Sequence, residues 1–368
     1  MKVLEINKKD LEHNIKAIKE KVLKESPNVK IYAVVKGNGV GLDIIQYSKL
    51  LKENGIETLA VAQYEEAIKL RLAGIEGQVL MLSPVIDKKE LKLLIENDIT
   101  LTIGNLNELN LIKEIAKENK FENIKVHLKI DTGFGRYGFL YSELDSIQKV
   151  FEYAETIEIE GIFTHFSKAI DKKTTKLQYS RFLETLKFIK EKGYSVPVIH
   201  CSASAAFLKY PEMRCNAVRI GSLFQGRTQV LNNLELKKIG KFKTSIVEIK
   251  TVPKGYNISY GNTYKTKKET KLATIPVGYM DGLNNGKKRD DFRFLNNIIA
   301  ILIEVKKLFK DNRLFAKING KSYRIIGRLG MYHSIIDITG NENINIGDQV
   351  ELDIKPLQTN DEIRREYI

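Results

Sequence analysis

The 368-residue sequence predicts an α/β fold: a (β/α)8 barrel of the TIM type over residues 8–233, then a mostly β C-terminal domain over 234–368 that also takes the N-terminal strand 1–7. Three observations predict it. Eight short runs rich in Val and Ile recur through the first part of the chain, with stretches of helical period between them. Those runs are continuous rather than alternating, as in strands of a parallel sheet covered by helices. Beyond about residue 233 the rhythm changes to β-branched runs separated by NG and TG turn signals.

The eight runs are IYAVV at 31–35, TLAVA at 58–62, QVLML at 78–82, ITLTI at 99–103, IKVHLKI at 124–130, IEGIFTHF at 159–166, VPVIH at 196–200 and NAVRI at 216–220. Segments such as LDIIQYSKLLKENG and YEEAIKLRLAG lie between them, apolar at i, i+3 and i+4 and stopped by glycine. Eight units match the barrel count. An open doubly wound sheet is the rival, but no Gly-rich dinucleotide loop follows the first strand. In the second part, strands are expected within 244–252, 269–277, 313–330, 333–339 and 347–354. The segment 292–311 has helical length and period and reads as an inserted packing helix. The opening VLEIN at 3–7 reads as a strand of the β-domain.

Composition narrows the function class. Lys plus Arg is 60 against 46 for Asp plus Glu, a net charge of +14. Most of that positive charge is lysine scattered through every segment, and dense runs such as KTKKET at 265–270 are short. A solvated lysine-rich surface fits better than a nucleic-acid face. No apolar run reaches the roughly 18 residues of a membrane span, and the chain opens on a strand and a helix rather than a signal peptide. Two cysteines, Cys201 and Cys215, make no disulfide framework and fit a reducing compartment, so a cytoplasmic location is expected.

Reactive groups of such a barrel belong at the C-terminal ends of its strands. Lys36 follows the first strand; Asp131 and Arg136 follow the fifth, with Lys129 just inside it. His165 follows the sixth, His200 and Ser204 the seventh, Arg219 and Gly221 the eighth. Ser204 and the turn at 221–222 offer a hydroxyl and open backbone N–H groups where barrels commonly hold phosphate. Each residue also has an unreactive reading: Lys36 as a surface charge, Arg136 and Arg219 as ion-pair partners, His165 and His200 as core histidines. HxxEH-type metal spacing and a G-x-S-x-G nucleophile elbow are both absent. The residues alone reach a barrel with a phosphate site and a lysine at its mouth, with no metal site.

AVVKGNGVGLD, HLKIDTGFGRYGF, THFSKA, HCSASAA, VRIGSLFQG, ISYGNTY, IPVGYMDG and GRLGMYH, in that order, resemble the successive motifs of the alanine racemase family. The resemblance spans nearly the whole chain. It implies an N-terminal barrel holding pyridoxal 5'-phosphate, a C-terminal β-domain, and interconversion of L- and D-alanine by two bases. Lys36 would carry the cofactor covalently and move the α-proton on one face. Tyr260, from the β-domain of a second subunit, would be the base on the other face, since inversion needs removal and delivery on opposite sides. The resemblance further implies Arg219 at the pyridine nitrogen and His165 tuning the network around Tyr260 and Arg219. Ser204, Gly221, Ser222 and Tyr367 would grip the phosphate, while Arg136, with Met331 nearby, would take the substrate carboxylate. Lys129 is the candidate for carbamylation, giving an acidic partner for Arg136; an ordinary ion-paired lysine is the alternative. A homodimer with shared sites and an amino-acid substrate follow, with no nucleic-acid or membrane partner.

The chain departs from the family pattern at three positions. Val40 stands where a Tyr is usual, Ala203 replaces the Asn before the phosphate-site Ser, and Tyr332 follows Met331 where Asp is common. These changes bear on cofactor hold and substrate pocket and leave the reaction type standing. Two other readings share the barrel. A racemase of the same family acting on another amino acid is one. The other is a non-catalytic pyridoxal-phosphate-binding protein, whose relatives lack the β-domain and Tyr260. A decarboxylase of this fold would want a Cys in the C-terminal β-domain, and both Cys201 and Cys215 precede residue 234.

Overall fold

The barrel closes from strands that the apolar runs mark. In the computed structural model, which describes residues 1–25, 27–153, 156–285 and 314–368 together with Ile298, Ile301, Leu302 and Val305, two parallel sheets form its wall. One arc runs Ala217–Ile220, Lys30–Val34, Thr58–Val61, Val79–Met81; the other runs Leu101–Ile103, Ile124–Asp131, Ile157–Phe163, Val198–His200. A parallel bridge from Leu80 to Thr100 joins the arcs on one side, and a bridge from Ala203 to Arg219 joins them on the other. All eight expected strands are present. Tyr32, Ala60, Leu80, Leu82, Phe163 and Ala217 pack into one interior cluster. Full burial of a large apolar side chain contributes about 1.5–3 kcal/mol.

Several helices of the barrel begin where a side chain takes up free N–H groups of the first turn. Asp87 accepts from the N–H groups of Lys89 and Glu90 ahead of Lys88–Glu96, and Asp171 from Thr174 ahead of Lys172–Glu191. Asp43 does the same for Ile44–Glu53. The turn before it, Gly37 to Gly41, is left-handed throughout, with φ between 51° and 85°. Glycine at 37, 39 and 41 makes that path accessible. Val40, at φ 55°, is a β-branched residue in a region such residues avoid. Its carbonyl accepts from Gln225 Nε2 at 2.8 Å, which ties the turn to the loop after the last strand.

Residues 8–239 form one compact unit, and residues 1–7 with 240–368 form the other. The expected switch at 233 thus compares with a division after Ile239. The intervening segment is bonded to the barrel: Asn14 exchanges hydrogen bonds with the Lys237 backbone at 2.8 Å, and Ile239 N–H donates to the Gln225 carbonyl. The second unit carries a nine-stranded sheet in the order Glu248–Val252, Thr270–Ile275, Ser334–Asp337, Lys321–Ile326, Phe315–Ile318, Gln349–Leu352, Lys241–Ser245, Val3–Ile6, Arg364–Tyr367. The N-terminal strand lies antiparallel to Lys241–Ser245 and parallel to Arg364–Tyr367. The run at 244–252, expected as one strand, is split: Ser245 still pairs with Gln349, whereas Glu248 pairs with Thr274. Two residues separate strands far apart in the sheet order, so the sheet curls back on itself. The segment 292–311 lies outside the described residues apart from Ile298, Ile301, Leu302 and Val305, which are helical.

One close approach in the barrel has a measurable consequence. The pairing of Ile124–Asp131 with Ile157–Phe163 shifts register between Val126 and His127, which sets Gly161 opposite His127. A Cβ at 161 would lie 2.4 Å from the His127 Cε1 atom. Gly161→Ala should therefore destabilise the fold by about 1–3 kcal/mol, the cost of overpacking. Urea unfolding of the two proteins measures it; an unchanged midpoint would contradict the packing described.

Candidate active site

The C-terminal ends of the barrel strands converge on a cavity of about 330 Å³, within the size of a small-molecule site. Its lining includes Lys36, Lys129, Arg136, His165, Ser204, Arg219, Gly221 and Ser222, so these eight residues singled out from sequence meet in one place. Val34, Leu82, Tyr137, Phe163, Ala203 and Ala205 complete the wall. Four of the lining side chains are cationic types and none is a carboxylate. Such a surface suits an anionic ligand.

Arg219 is the centre of the site. It is 3% exposed, yet among the described residues it pairs with no carboxylate. Its Nη1 donates to His200 Nδ1 at 2.7 Å and to the His200 carbonyl at 3.1 Å. Its Nη2 donates to the Thr164 carbonyl at 2.7 Å, to His165 Nδ1 at 3.2 Å and toward the Cys201 carbonyl at 3.4 Å. Burial lowers its pKa to about 10, so it stays charged at neutral pH. A guanidinium has five N–H donors. Four are occupied by these acceptors; the Nε–H has no protein acceptor among the described residues.

That arrangement fixes the histidines beneath it. Arginine only donates, so His200 Nδ1 must accept and the His200 proton sits on Nε2. Nε2 lies 2.9 Å from His127 Nδ1, which must then accept in turn. His127 carries its own proton on Nε2, a buried atom with no partner. Both rings are fully buried and neutral: burial and then nearby cations hold His127 at about 3 and His200 well below its usual value. Tyr32 and Phe163 stack on the two faces of His200, with ring centroids at 5.2 and 4.9 Å. His200, expected at the strand end beside Ser204, is thus a core support for Arg219. His127 was missed from sequence because a mid-strand histidine carries no local signal.

Lys129 is 3% exposed, its Nζ 3.1 Å from the Ile130 carbonyl and 5.0 Å from the Phe163 ring centroid. Burial first, then Arg219, lower its pKa to about 7. Arg136 lies over the Phe134 and Tyr137 rings at 4.5 and 4.8 Å. Asp131, a strand-end acid, instead folds its own loop: its two oxygens accept from Gly133, Phe134 and Gly135 N–H groups at 2.8 Å each. Burial pushes its carboxyl up, and these three donors bring it below the usual value. Ser204 Oγ accepts from Gly221 N–H at 3.2 Å, which pins the hydroxyl beside the turn at 221–222.

Tyr260, Met331 and Tyr367 belong to the other unit. Tyr260 is 69% exposed, in the short helical turn Tyr260–Asn262. A Cβ at Gly330 would come 3.7 Å from Tyr260 Cε2, so the 260 and 330 turns are neighbours. Met331 is exposed beside them, joined to Met280 by a backbone hydrogen bond. Tyr332, in place of the usual acid, lies 5.3 Å from Lys2 Nζ, and Lys2 pairs with Asp281 at 2.7 Å. Tyr367 is half-buried in the strand Arg364–Tyr367.

The residues fit pyridoxal phosphate on structural grounds. A strand-end lysine, a carboxylate-free cationic lining, the Ser204–Gly221 cradle and a guanidinium N–H with no protein acceptor are donors that match a phosphate and a ring nitrogen. Among the described residues, no cluster of three or more His, Cys, Asp or Glu side chains could hold a metal ion.

Comparison with known proteins agrees with this geometry. Residues 6–229 match the family "Alanine racemase, N-terminal domain", and residues 239–365 match "Alanine racemase, C-terminal domain". An alanine racemase of Methanococcus maripaludis is 37% identical over 354 residues, covering 94% of this chain and 87% of that protein. Alanine racemase 2 of Caldanaerobacter subterraneus is 36% identical over 357 residues, covering 94% and 84%. Among solved structures, an alanine racemase of Clostridium difficile superposes with a TM-score of 0.86 at 29% identity, covering 99% of this chain and 95% of that one. The alanine racemase of Bacillus anthracis with bound L-Ala-P superposes at 0.80 and 30% identity, covering 99% and 94%. With both of its units matched in order, the chain belongs to the alanine racemase family.

Proposed function

We propose that this protein is a pyridoxal 5'-phosphate-dependent racemase that interconverts L- and D-alanine. The observation that carries the reading is the barrel-mouth cavity, where a strand-end lysine faces a cationic, carboxylate-free lining built around Arg219. When bound, pyridoxal phosphate draws electrons from the substrate α-carbon and makes its C–H acidic. Lys36 would hold it covalently; Ser204, Gly221, Ser222 and Tyr367 would hold its phosphate. Arg219 would offer its Nε–H to the ring nitrogen. A charged guanidinium has no proton to give up at neutral pH, so that nitrogen would keep its lone pair.

Lys36 Nζ would exchange the α-proton on one face of the substrate, and the Tyr260 hydroxyl on the other. Arg136 would orient the substrate carboxylate, with Met331 beside it, and His165 would link Arg219 to Tyr260. For Tyr260 to serve a barrel, a second copy is the natural source, and a two-fold dimer with shared sites is the simplest closed arrangement. The exposed Tyr260, Tyr279, Met280, Met331 and Tyr332 support it, since aromatic and Met side chains are enriched at interfaces. Free cysteines and the lack, among the described residues, of a helix long and apolar enough to cross a membrane support a cytoplasmic location.

Purified protein supplied with pyridoxal phosphate should convert L-alanine, out of a panel of amino acids, to an equal mixture of enantiomers by chiral chromatography. Lys36→Ala should lose turnover almost completely, and Tyr260→Phe should lose about 10²–10⁴-fold. Mixing Lys36→Ala with Tyr260→Ala chains should restore part of the activity through sites with both bases intact. Wild-type rates in Tyr260→Phe would exclude its role, and no recovery after verified subunit exchange would exclude shared sites.

Lys129 supports a second expectation. With a pKa lowered to about 7, chiefly by burial, much of its amine is unprotonated at neutral pH and able to add carbon dioxide, releasing a proton and leaving a carbamate anion for Arg136. Only the free amine reacts, so the modification should increase as pH rises through about 7. Protein equilibrated with ¹³C-bicarbonate should show a carbamate carbon resonance that Lys129→Met lacks. The same resonance in the variant, or none well above pH 7, would contradict the assignment.

A further inference from the structure

The barrel holds a second reactive arrangement that the racemase chemistry does not use. Cys201 follows the strand Val198–His200, and Cys215 precedes the strand Ala217–Ile220. The two strands are neighbours in the barrel wall, which brings the Sγ atoms to 3.8 Å. Both sulfurs turn to one acceptor, the Met213 carbonyl, Cys201 at 2.8 Å and Cys215 at 3.9 Å. Cys201 is fully buried, whereas Cys215 is half-buried, between the buried Arg214 and the exposed Asn216. Cys215 also stands at φ 53°, a left-handed conformation more usual for Gly or Asn. Of the two residues, Cys215 is the less buried.

We propose that Cys201 and Cys215 form a reversible intramolecular disulfide when the protein meets a peroxide. The sulfurs would have to close from 3.8 Å to about 2.0 Å, a movement within reach of the short turn Pro211–Met213 that leads into Cys215. The environment divides the labour. The adjacent Cys201 side chain lowers the pKa of Cys215 against the opposing effect of burial; burial raises that of Cys201. Cys215 is thus the attacking thiolate. Its sulfur takes one peroxide oxygen, the O–O bond breaks, and the other oxygen leaves as hydroxide that takes up the proton the Cys215 thiol released, giving a sulfenic acid and one water. The Cys201 thiol then attacks that sulfur; the S–O bond breaks, the hydroxyl leaves with the Cys201 proton as a second water, and the S–S bond forms. Two thiols and one hydrogen peroxide become one disulfide and two waters. A thiol reductant reverses the bond by exchange. The closed loop spans residues 202–214 and includes the short helix Ser204–Lys209, so oxidation fastens the Ser204 segment at both ends.

The test uses the wild-type chain and does not depend on activity. Protein treated with hydrogen peroxide should lose two hydrogens in intact mass and expose no alkylatable thiol. Proteolysis without reductant should release a linked peptide pair containing Cys201 and Cys215, and dithiothreitol should restore both thiols. In Cys201→Ala, Cys215 should stop at the sulfenic acid and be captured by dimedone; in Cys215→Ala, Cys201 should stay unmodified. Two thiols still free under peroxide that oxidises glutathione would overturn the proposal. So would a disulfide that joins cysteines of different chains only.

Discussion

The cavity end of the barrel depends on one buried charge. Arg219 sits within the wall with no carboxylate among its described neighbours, and only neutral acceptors hold it: two histidine nitrogens and three backbone carbonyls. Removing a cation from water costs several kcal/mol even after relaxation. Hydrogen bonds to a charged group contribute about 1.5–3 kcal/mol each, so a full set of acceptors offsets that cost where one or two would not. The constraint passes downward. His200 must be neutral with its proton on Nε2, His127 must accept from it, and Gly161 must stay small so that His127 fits. Packing deep in the barrel and the chemistry proposed at its mouth are consequences of the same charge.

Choosing a cation without an acid leaves the cavity positive. Lys36, Lys129, Arg136 and Arg219 share the lining, and the nearby Asp131 spends both oxygens on its own loop. An anionic ligand is what would balance such a site; burial first, then Arg219, lowers the pKa of Lys129. Of the departures from the family pattern, Ala203 lines the cavity, Val40 lies in the turn after the first barrel strand, and Tyr332 belongs to the other unit. Val40 is held in a left-handed turn by Gln225, and Tyr332 receives Lys2 where an acid would have paired with a cation.

Much of this was legible before any coordinates. The eight strands were readable because a parallel, doubly covered strand writes itself as a continuous apolar run, and Lys36, Arg136, His165, Ser204 and Arg219 because barrel chemistry gathers at strand ends. What sequence missed depends on contacts between distant residues. His127 looks like any mid-strand residue until the register shift sets it against Gly161 and His200. The strand Arg364–Tyr367 is too polar to read as buried, and it exists because Val3–Ile6 offers it a ladder. The run 244–252 has one apolar pattern but two sets of partners, so its break at Ile246 and Val247 is invisible locally. Asp131 read as a reactive acid because its position was right; only its hydrogen bonds reveal a structural role.

The protonation of the two buried rings tests the account most directly. Nitrogen NMR of ¹⁵N-histidine-labelled protein reports charge and tautomer ring by ring, with His200→Asn and His127→Asn variants assigning the signals. A guanidinium supported by neutral acceptors predicts that His200 and His127 both stay uncharged, with protons on Nε2, from pH 5 to 8. A His200 ring that titrates in that range, or one that carries its proton on Nδ1, would contradict it.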